Sequence, residues 1–259
     1  MDNFNVYKDI QARTKGEIYI GVVGPVRTGK STFIKRFMEL AVLPAMEDES
    51  LKAVSTDELP QSAGGKTVMT TEPKFIPKEA VQITLGDGIQ AKVRLIDCVG
   101  YMVDGAAGHV ENGEERMVKT PWSRKRIPLY PRPAQIGTRK VIGDHSTIGI
   151  VVTTDGSVGE LKRSAYIDAE KQTVDELKKL GKPFILLLNS TKPYSDETLK
   201  LAEQLAADYG VTVLPVSCEQ LEKRDIFHIL ESVLKDFLLR NWYFHIPKWL
   251  EVLPATHWT

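Results

Sequence analysis

The chain has 259 residues, 42% hydrophobic and 26% charged, which suits one large soluble domain or one domain with an appendage. Its 34 basic and 34 acidic residues cancel, so no global basic field argues for nucleic acid as a partner. Two cysteines make no disulfide framework, the first 16 residues are charged rather than signal-like, and no apolar run nears the ~20 residues of a membrane span. A reducing, cytoplasmic setting is expected.

In chain order, residues 1–16 read as an arm with Phe4, Val6, Tyr7 and Ile10 as its apolar anchors. The domain proper is expected over 17–240. An apolar strand, Ile18–Val23, then runs into Gly24-Pro25-Val26-Arg27-Thr28-Gly29-Lys30-Ser31, the pattern G-x-x-x-x-G-K-[ST] of a phosphate-binding loop. A helical pattern follows from Thr32, as that motif requires. Gly24 and Gly29 allow a turn tight enough for several N–H groups to face one anion, and the helix start adds partial positive charge. Lys30 is expected to reach the β- and γ-phosphates and Ser31 to hold Mg²⁺, with Thr32 beside them in the first helical turn.

The helix pattern ends near Leu43-Pro44, and residues 45–72 are polar and read as irregular. In phosphate-loop proteins a threonine in this interval folds over the γ-phosphate and meets the metal; Thr70 and Thr71 are both candidates. Two strands, Ala80–Leu85 and Ala91–Ile96, flank the hairpin signal Gly86-Asp87-Gly88 and are expected to run antiparallel. The second ends in Asp97-Cys98-Val99-Gly100. Asp97 is placed to hold Mg²⁺ through water, and Gly100 to present its N–H to the γ-phosphate. Cys98 reads as a buried, inert thiol.

Residues 101–138 form a long Pro- and Arg-bearing excursion, readable as an enlarged switch, an assembly surface or a plain insertion. From 139 strands and helices alternate: strands at 147–153, 183–188 and 212–216, helices at 166–180, 196–209 and 223–239. That order argues a mostly parallel α/β sheet with helices on both faces and one antiparallel edge hairpin. Residues 241–259 form an aromatic tail, for which packing is expected over a membrane-interface role. The five histidines show no metal-ligand spacing, and His228 reads as a packed helix residue.

The ordered set Gly24–Ser31, Thr70 or Thr71, and Asp97–Gly100 looks like the translation-factor class of GTPase-like phosphate-loop proteins. The wider wording, including Asp57–Ser62, Thr70–Phe75, Gly137–Ile142, His145–Gly149 and Thr153–Gly156, resembles the stage IV sporulation protein A family of spore-forming Firmicutes from end to end. That family's proteins are longer, with a middle domain and a membrane-targeting C-terminal region, so this chain is expected to be the N-terminal ATPase part alone. The resemblance implies ATP and Mg²⁺ as cofactors, and hydrolysis that drives self-assembly into a static platform for the spore coat. It further implies the chain itself, coat proteins and forespore-membrane anchoring proteins as partners. It places the protein in the mother cell at the forespore surface, with peripheral membrane association through the C-terminal region.

Guanine-specific relatives carry N-K-x-D, whose Asp accepts from the base. Here the stretch is Asn189-Ser190-Thr191-Lys192, without that carboxylate, so guanine preference should be gone. Asn189, Ser190 and Lys192, with Ser217 after the next strand, are the expected base-side contacts. Many relatives place a glutamine after D-x-x-G to orient water, whereas this chain has Tyr101, so slow turnover is expected. Some relatives hold a potassium ion with an Asn at the loop position of Arg27. Either the Arg27 guanidinium replaces that cation as a catalytic group, or it is a solvent-facing loop arginine.

Overall fold

A computed structural model of the chain describes residues 16–60, 74–84, 90–98, 100–103, 105, 110–111, 114–115, 117–118, 127–128, 139 and 141–240. The expected arm, the aromatic tail, Thr70, Thr71 and the turn at 86–88 lie outside these residues.

Six strands form the central sheet: β1 Glu17–Val23, β2 Lys74–Thr84, β3 Gln90–Asp97, β4 Ile148–Thr154, β5 Phe184–Asn189 and β6 Val213–Val216. Their order is β6-β5-β4-β1-β3-β2, every neighbouring pair parallel except the antiparallel β2–β3 edge. β4 and β5 are buried at every position, as both-face coverage demands. The helices are α1 Lys30–Phe37, α2 Glu49–Asp57, α3 Ile167–Leu180, α4 Asp196–Tyr209 and α5 Lys223–Arg240. Alternation along β1 sends Ile18, Ile20 and Val22 to one face, where Phe33, Ile34 and Phe37 of α1 meet Ile226, Ile229 and Val233 of α5. The other face carries Val23, Ile96, Val151, Leu186 and Leu188 against Val174 and Leu177 of α3 and Ala202 and Leu205 of α4. The expected fold is the observed one, an α/β sheet covered on both sides.

Three expectations need correction. The 45–72 interval is not irregular throughout, because α2 occupies Glu49–Asp57, with the Asp48 carboxylate accepting from the Ser50 and Leu51 N–H groups at 2.8 and 3.2 Å. β2 begins at Lys74, not near Ala80, and passes Pro77 by a register shift between Ile76 and Val81, so one strand spans what reads as two segments. His228 is exposed on α5 rather than packed. Within the long excursion, two short ladders pair Val110–Glu111 with Glu114–Glu115 and Met117–Val118 with Ile127–Pro128.

A buried ion pair ties the end of β4 to two helices. The Arg163 guanidinium forks onto Glu170 of α3 at 2.5 and 2.7 Å, and also donates to the Thr154 carbonyl at 3.1 Å. Glu170 accepts further from the Tyr209 hydroxyl of α4 at 2.9 Å and from Thr153 of β4. With its carboxylate fully buried, the four hydrogen bonds from these three partners offset the cost of removing the charge from water.

Candidate functional site

The chain between β1 and α1 crosses the carboxyl end of the sheet, where open α/β folds place their ligands. Gly29 stands just before α1 in the left-handed region, φ 97°, and no side chain caps the helix start, so its first N–H groups face outward over the loop. The Thr28 hydroxyl donates to the Pro25 carbonyl at 3.0 Å, closing the turn from within. Ser31 and Thr32 sit half-buried in the first turn of α1.

Lys30 is 8% exposed, its ammonium donating to the Gly24 carbonyl at 3.2 Å and the Pro25 carbonyl at 2.6 Å. Burial lowers its pKa to about 8, while the nearby Asp97 carboxylate pulls the other way. The sheet register brings these two together, since Asp97 of β3 lies opposite Val22 near the end of β1. Gly100 completes the approach: a Cβ there would stand 2.5 Å from Lys30 Nζ, 2.8 Å from Val26 N and 3.0 Å from the Gly24 carbonyl oxygen. Only glycine lets the chain pass this close to Lys30 and the phosphate-loop backbone.

Tyr101 is stitched to the phosphate loop. Its N–H donates to the Gly24 carbonyl at 3.1 Å, and its carbonyl accepts from the Val26 N–H at 2.7 Å. Its ring, 3% exposed, packs with Val26, Val103, Tyr166 and Ala169 rather than standing where a glutamine would orient water. Arg27 has φ 62°, the one positive φ outside glycine among the described residues. It is half-buried with Nη2 enclosed, which disfavours the freely solvent-facing reading. Its charge lies near Tyr166, whose phenol burial pushes up and Arg27 pulls partly back.

The base-side residues are arranged differently. Asn189 spends both ends of its amide on backbone: Nδ2 donates to the Thr28 carbonyl at 2.9 Å and Oδ1 accepts from the Cys218 N–H at 2.9 Å. It clamps the phosphate loop to the loop after β6. Ser190 is buried, its hydroxyl accepting from the Lys192 N–H at 3.0 Å and lying 3.3 Å from the Thr198 hydroxyl. Ser217 is half-buried after β6, and Lys192 is exposed. Sequence reading assigned these positions to the ligand; in the structure the Asn189 and Ser190 side chains are bonded within the protein, while Lys192 is exposed. That reading missed the Cys218 N–H, a backbone partner that no residue type announces. Both cysteines are buried, and burial pushes both thiols up, Cys218 to about 12.

The oxygen donors at the phosphate end, the Ser31 hydroxyl and the buried Asp97 carboxylate, suit a hard cation such as Mg²⁺ that keeps waters and phosphate oxygens as its other ligands. Among the described residues no cluster of three His, Cys, Asp or Glu side chains could hold a metal without such help. No helix among them is long and apolar enough to cross a membrane.

The family model described as Stage IV sporulation protein A, ATPase domain, matches residues 1–238. The chain is 51% identical over 256 residues to stage IV sporulation protein A of Clostridioides difficile (strain 630), an alignment covering 99% of this chain and 52% of that protein. Identity to stage IV sporulation protein A of Bacillus subtilis (strain 168) is 49% over 258 residues, covering 100% and 52%. The chain thus spans about half the length of the curated relatives it matches, 52% in each case. Similar solved structures include a GTP-binding protein from Sulfolobus solfataricus in complex with GDP, at TM-score 0.46 and 16% identity, covering 88% of this chain and 55% of that one. Another is the FeoB G-domain from Methanococcus jannaschii, at TM-score 0.40 and 12% identity, covering 85% and 98%. The chain belongs to the stage IV sporulation protein A family, and what it carries is that family's ATPase domain.

Proposed function

We propose that this domain binds ATP with Mg²⁺ and hydrolyses it, and that in the longer protein hydrolysis drives self-assembly into a static platform for spore coat assembly. The observation that carries the reading is the convergence of Lys30, Asp97 and Gly100 beside the uncapped start of α1. Lys30 would hold the β- and γ-phosphates, and Ser31 and Asp97 would hold Mg²⁺, which when bound neutralises charge on the transferring phosphate. Thr70 or Thr71 would sense the γ-phosphate and complete the metal's ligands. The half-buried Arg27 would supply the positive charge that a potassium ion supplies in some relatives. The missing carboxylate at Lys192 favours ATP over GTP.

In this reading the protein works at the forespore surface in the mother-cell cytoplasm. Its partners are other copies of itself, coat proteins and membrane-anchoring proteins, with membrane contact made outside this chain. A second reading, a nucleotide-binding structural or switch module with little turnover, draws on Tyr101, whose ring packs in an apolar cluster and leaves water to be oriented by other groups.

One experiment tests both. Phosphate release from ATP and GTP is measured for the chain, for Lys30→Ala and for Arg27→Ala, with and without potassium. ATP turnover that Lys30→Ala abolishes and that exceeds GTP turnover is expected, with Arg27→Ala slower and responsive to potassium. ATP binding without release would favour the structural module, and potassium-independent full activity in Arg27→Ala would remove Arg27 from catalysis.

A further inference from the structure

We infer that Asp155 and Ser157 are positioning residues for the nucleotide base, forming a latch that holds the loop after β5 in its base-facing conformation. The inference rests on the ATP-binding reading above and adds to it the residues that order the base side.

Asp155 is the first residue after β4, and its N–H donates to the Asn189 carbonyl at 3.4 Å, so the ends of β4 and β5 are paired through it. Its Oδ1 accepts from the Ser157 N–H at 2.8 Å and from the Ser157 hydroxyl at 2.6 Å. A serine hydroxyl has one proton. With that proton committed to the carboxylate, the oxygen's lone pairs are turned outward, and one of them accepts the Thr191 N–H at 2.9 Å. The relay is directional: carboxylate orients hydroxyl, and hydroxyl fixes the backbone of the loop. Ser190 stands on the other side of Asp155 and favours its ionised form, while the Ser190 oxygen takes the Lys192 N–H at 3.0 Å. Burial alone would raise the Asp155 carboxyl, but the bonds from Ser157 and Ser190 outweigh it and hold the group below its usual range.

Thr191 and Lys192 lie at the carboxyl end of β5, and Asn189 joins the same loop to Thr28 of the phosphate loop. A nucleotide whose phosphates lie on Gly24–Ser31 must extend its base across these strand ends. The N–H groups of Ser190, Thr191, Lys192 and Cys218 are all committed within the protein, to the Val216 carbonyl, Ser157, Ser190 and Asn189 respectively. The wall is therefore set before the base arrives. Its contribution is pre-organisation, which lowers the ordering cost of binding. Chemistry belongs to Lys30 and Asp97 at the other end, so the latch governs affinity and not the rate of the bound complex.

The test is ATP hydrolysis by the wild-type chain and by Asp155→Ala, Asp155→Asn, Ser157→Ala and the double alanine variant, with equilibrium ATP binding measured in parallel. Each alanine variant should raise KM and the dissociation constant for ATP roughly five- to twentyfold while kcat stays within about twofold. The double variant should be no worse than either single, because both break one relay. Asp155→Asn, which keeps an acceptor for Ser157, should recover most of the loss. A merely structural role would instead lower kcat and KM behaviour together, or track lost thermal stability without rescue by Asn. ATP binding unchanged in both alanine variants would overturn this inference alone; absence of ATP binding by the wild-type chain would overturn the proposed function as well.

Discussion

At the phosphate end of the site, the side chains named by the motifs lie near one another: Lys30 feels the Asp97 carboxylate, and Gly100 lets the chain pass close to the Lys30 ammonium. At the base end, the motif positions Asn189 and Ser190 turn inward, and the loop is held by Asp155, Ser157 and backbone N–H groups. Phosphate binding needs particular chemistry, namely an ammonium, a metal ligand and a residue with no Cβ, so it constrains residue types at fixed spacing. Holding a loop needs only hydrogen bonds, which many residue combinations supply. The first end is written in side chains and the second in a network.

The largest effect is expected where the end of β4 is anchored to α3 and α4. Glu170→Ala leaves the half-buried Arg163 without its carboxylate, and Thr153 and Tyr209 without their acceptor, and should cost about 3 kcal/mol of stability in chemical denaturation, with Glu170→Gln costing less. If the loss were under ~1 kcal/mol, the β4 end would be held by something other than this pair. Gly100→Ala acts on the phosphate end alone. The added carbon collides with Lys30 Nζ and with the phosphate-loop backbone at Val26 N and the Gly24 carbonyl oxygen, so ATP turnover should fall at least about 100-fold and the melting temperature should drop with it. Full turnover in that variant would separate Gly100 from the phosphates.

The base end should respond more gently. Ser190→Lys with Lys192→Asp restores the guanine-reading carboxylate and should shift the ATP-to-GTP preference by roughly tenfold toward GTP. An unchanged ratio would show that the buried Ser190 site does not admit the longer side chain to the base. The smallest effect is expected at an ion pair that belongs to neither end's hydrogen-bond network. Arg139 donates to Glu176 at 2.7 and 3.4 Å and holds its carboxyl below the usual 4.5, burial opposing. Because the folded value is the lower one, the stability this gives is complete above pH 4.5 and lost as pH falls through the folded value. Glu176→Gln should flatten only that acid limb of the stability curve and leave turnover at pH 7 alone.

The same division explains how much was legible. β4 and β5 read as continuous buried runs bounded by turn residues, α3, α4 and α5 carry period-3.6 apolar patterns, and α4 falls at Asp196–Tyr209 as its periodicity predicts. α2 does not announce itself, since Leu51 and Val54, 55% and 50% exposed, face outward while Ser55 faces in. Its only sequence mark is the Asp48 cap. β2 hides behind Pro77, which splits its pattern. In the candidate site, Lys30, Ser31, Asp97 and Gly100 stand out in the sequence because their motifs fix residue type and spacing together. The clamp from Asn189 to Cys218 is unreadable, because a backbone N–H belongs to every residue except proline.

The pairing of Tyr101 with Gly24 and Val26 has a mechanical consequence. Two hydrogen bonds weld the first residue of the 101–138 excursion to the strand-like edge of the phosphate loop, as a short parallel bridge between Pro25 and Tyr101. A displacement of Tyr101 would therefore act directly on Gly24 and Val26, and a shift of those two residues on Tyr101. The Val26 and Tyr101 amides should accordingly exchange with solvent deuterium at one common rate, as parts of a single lever.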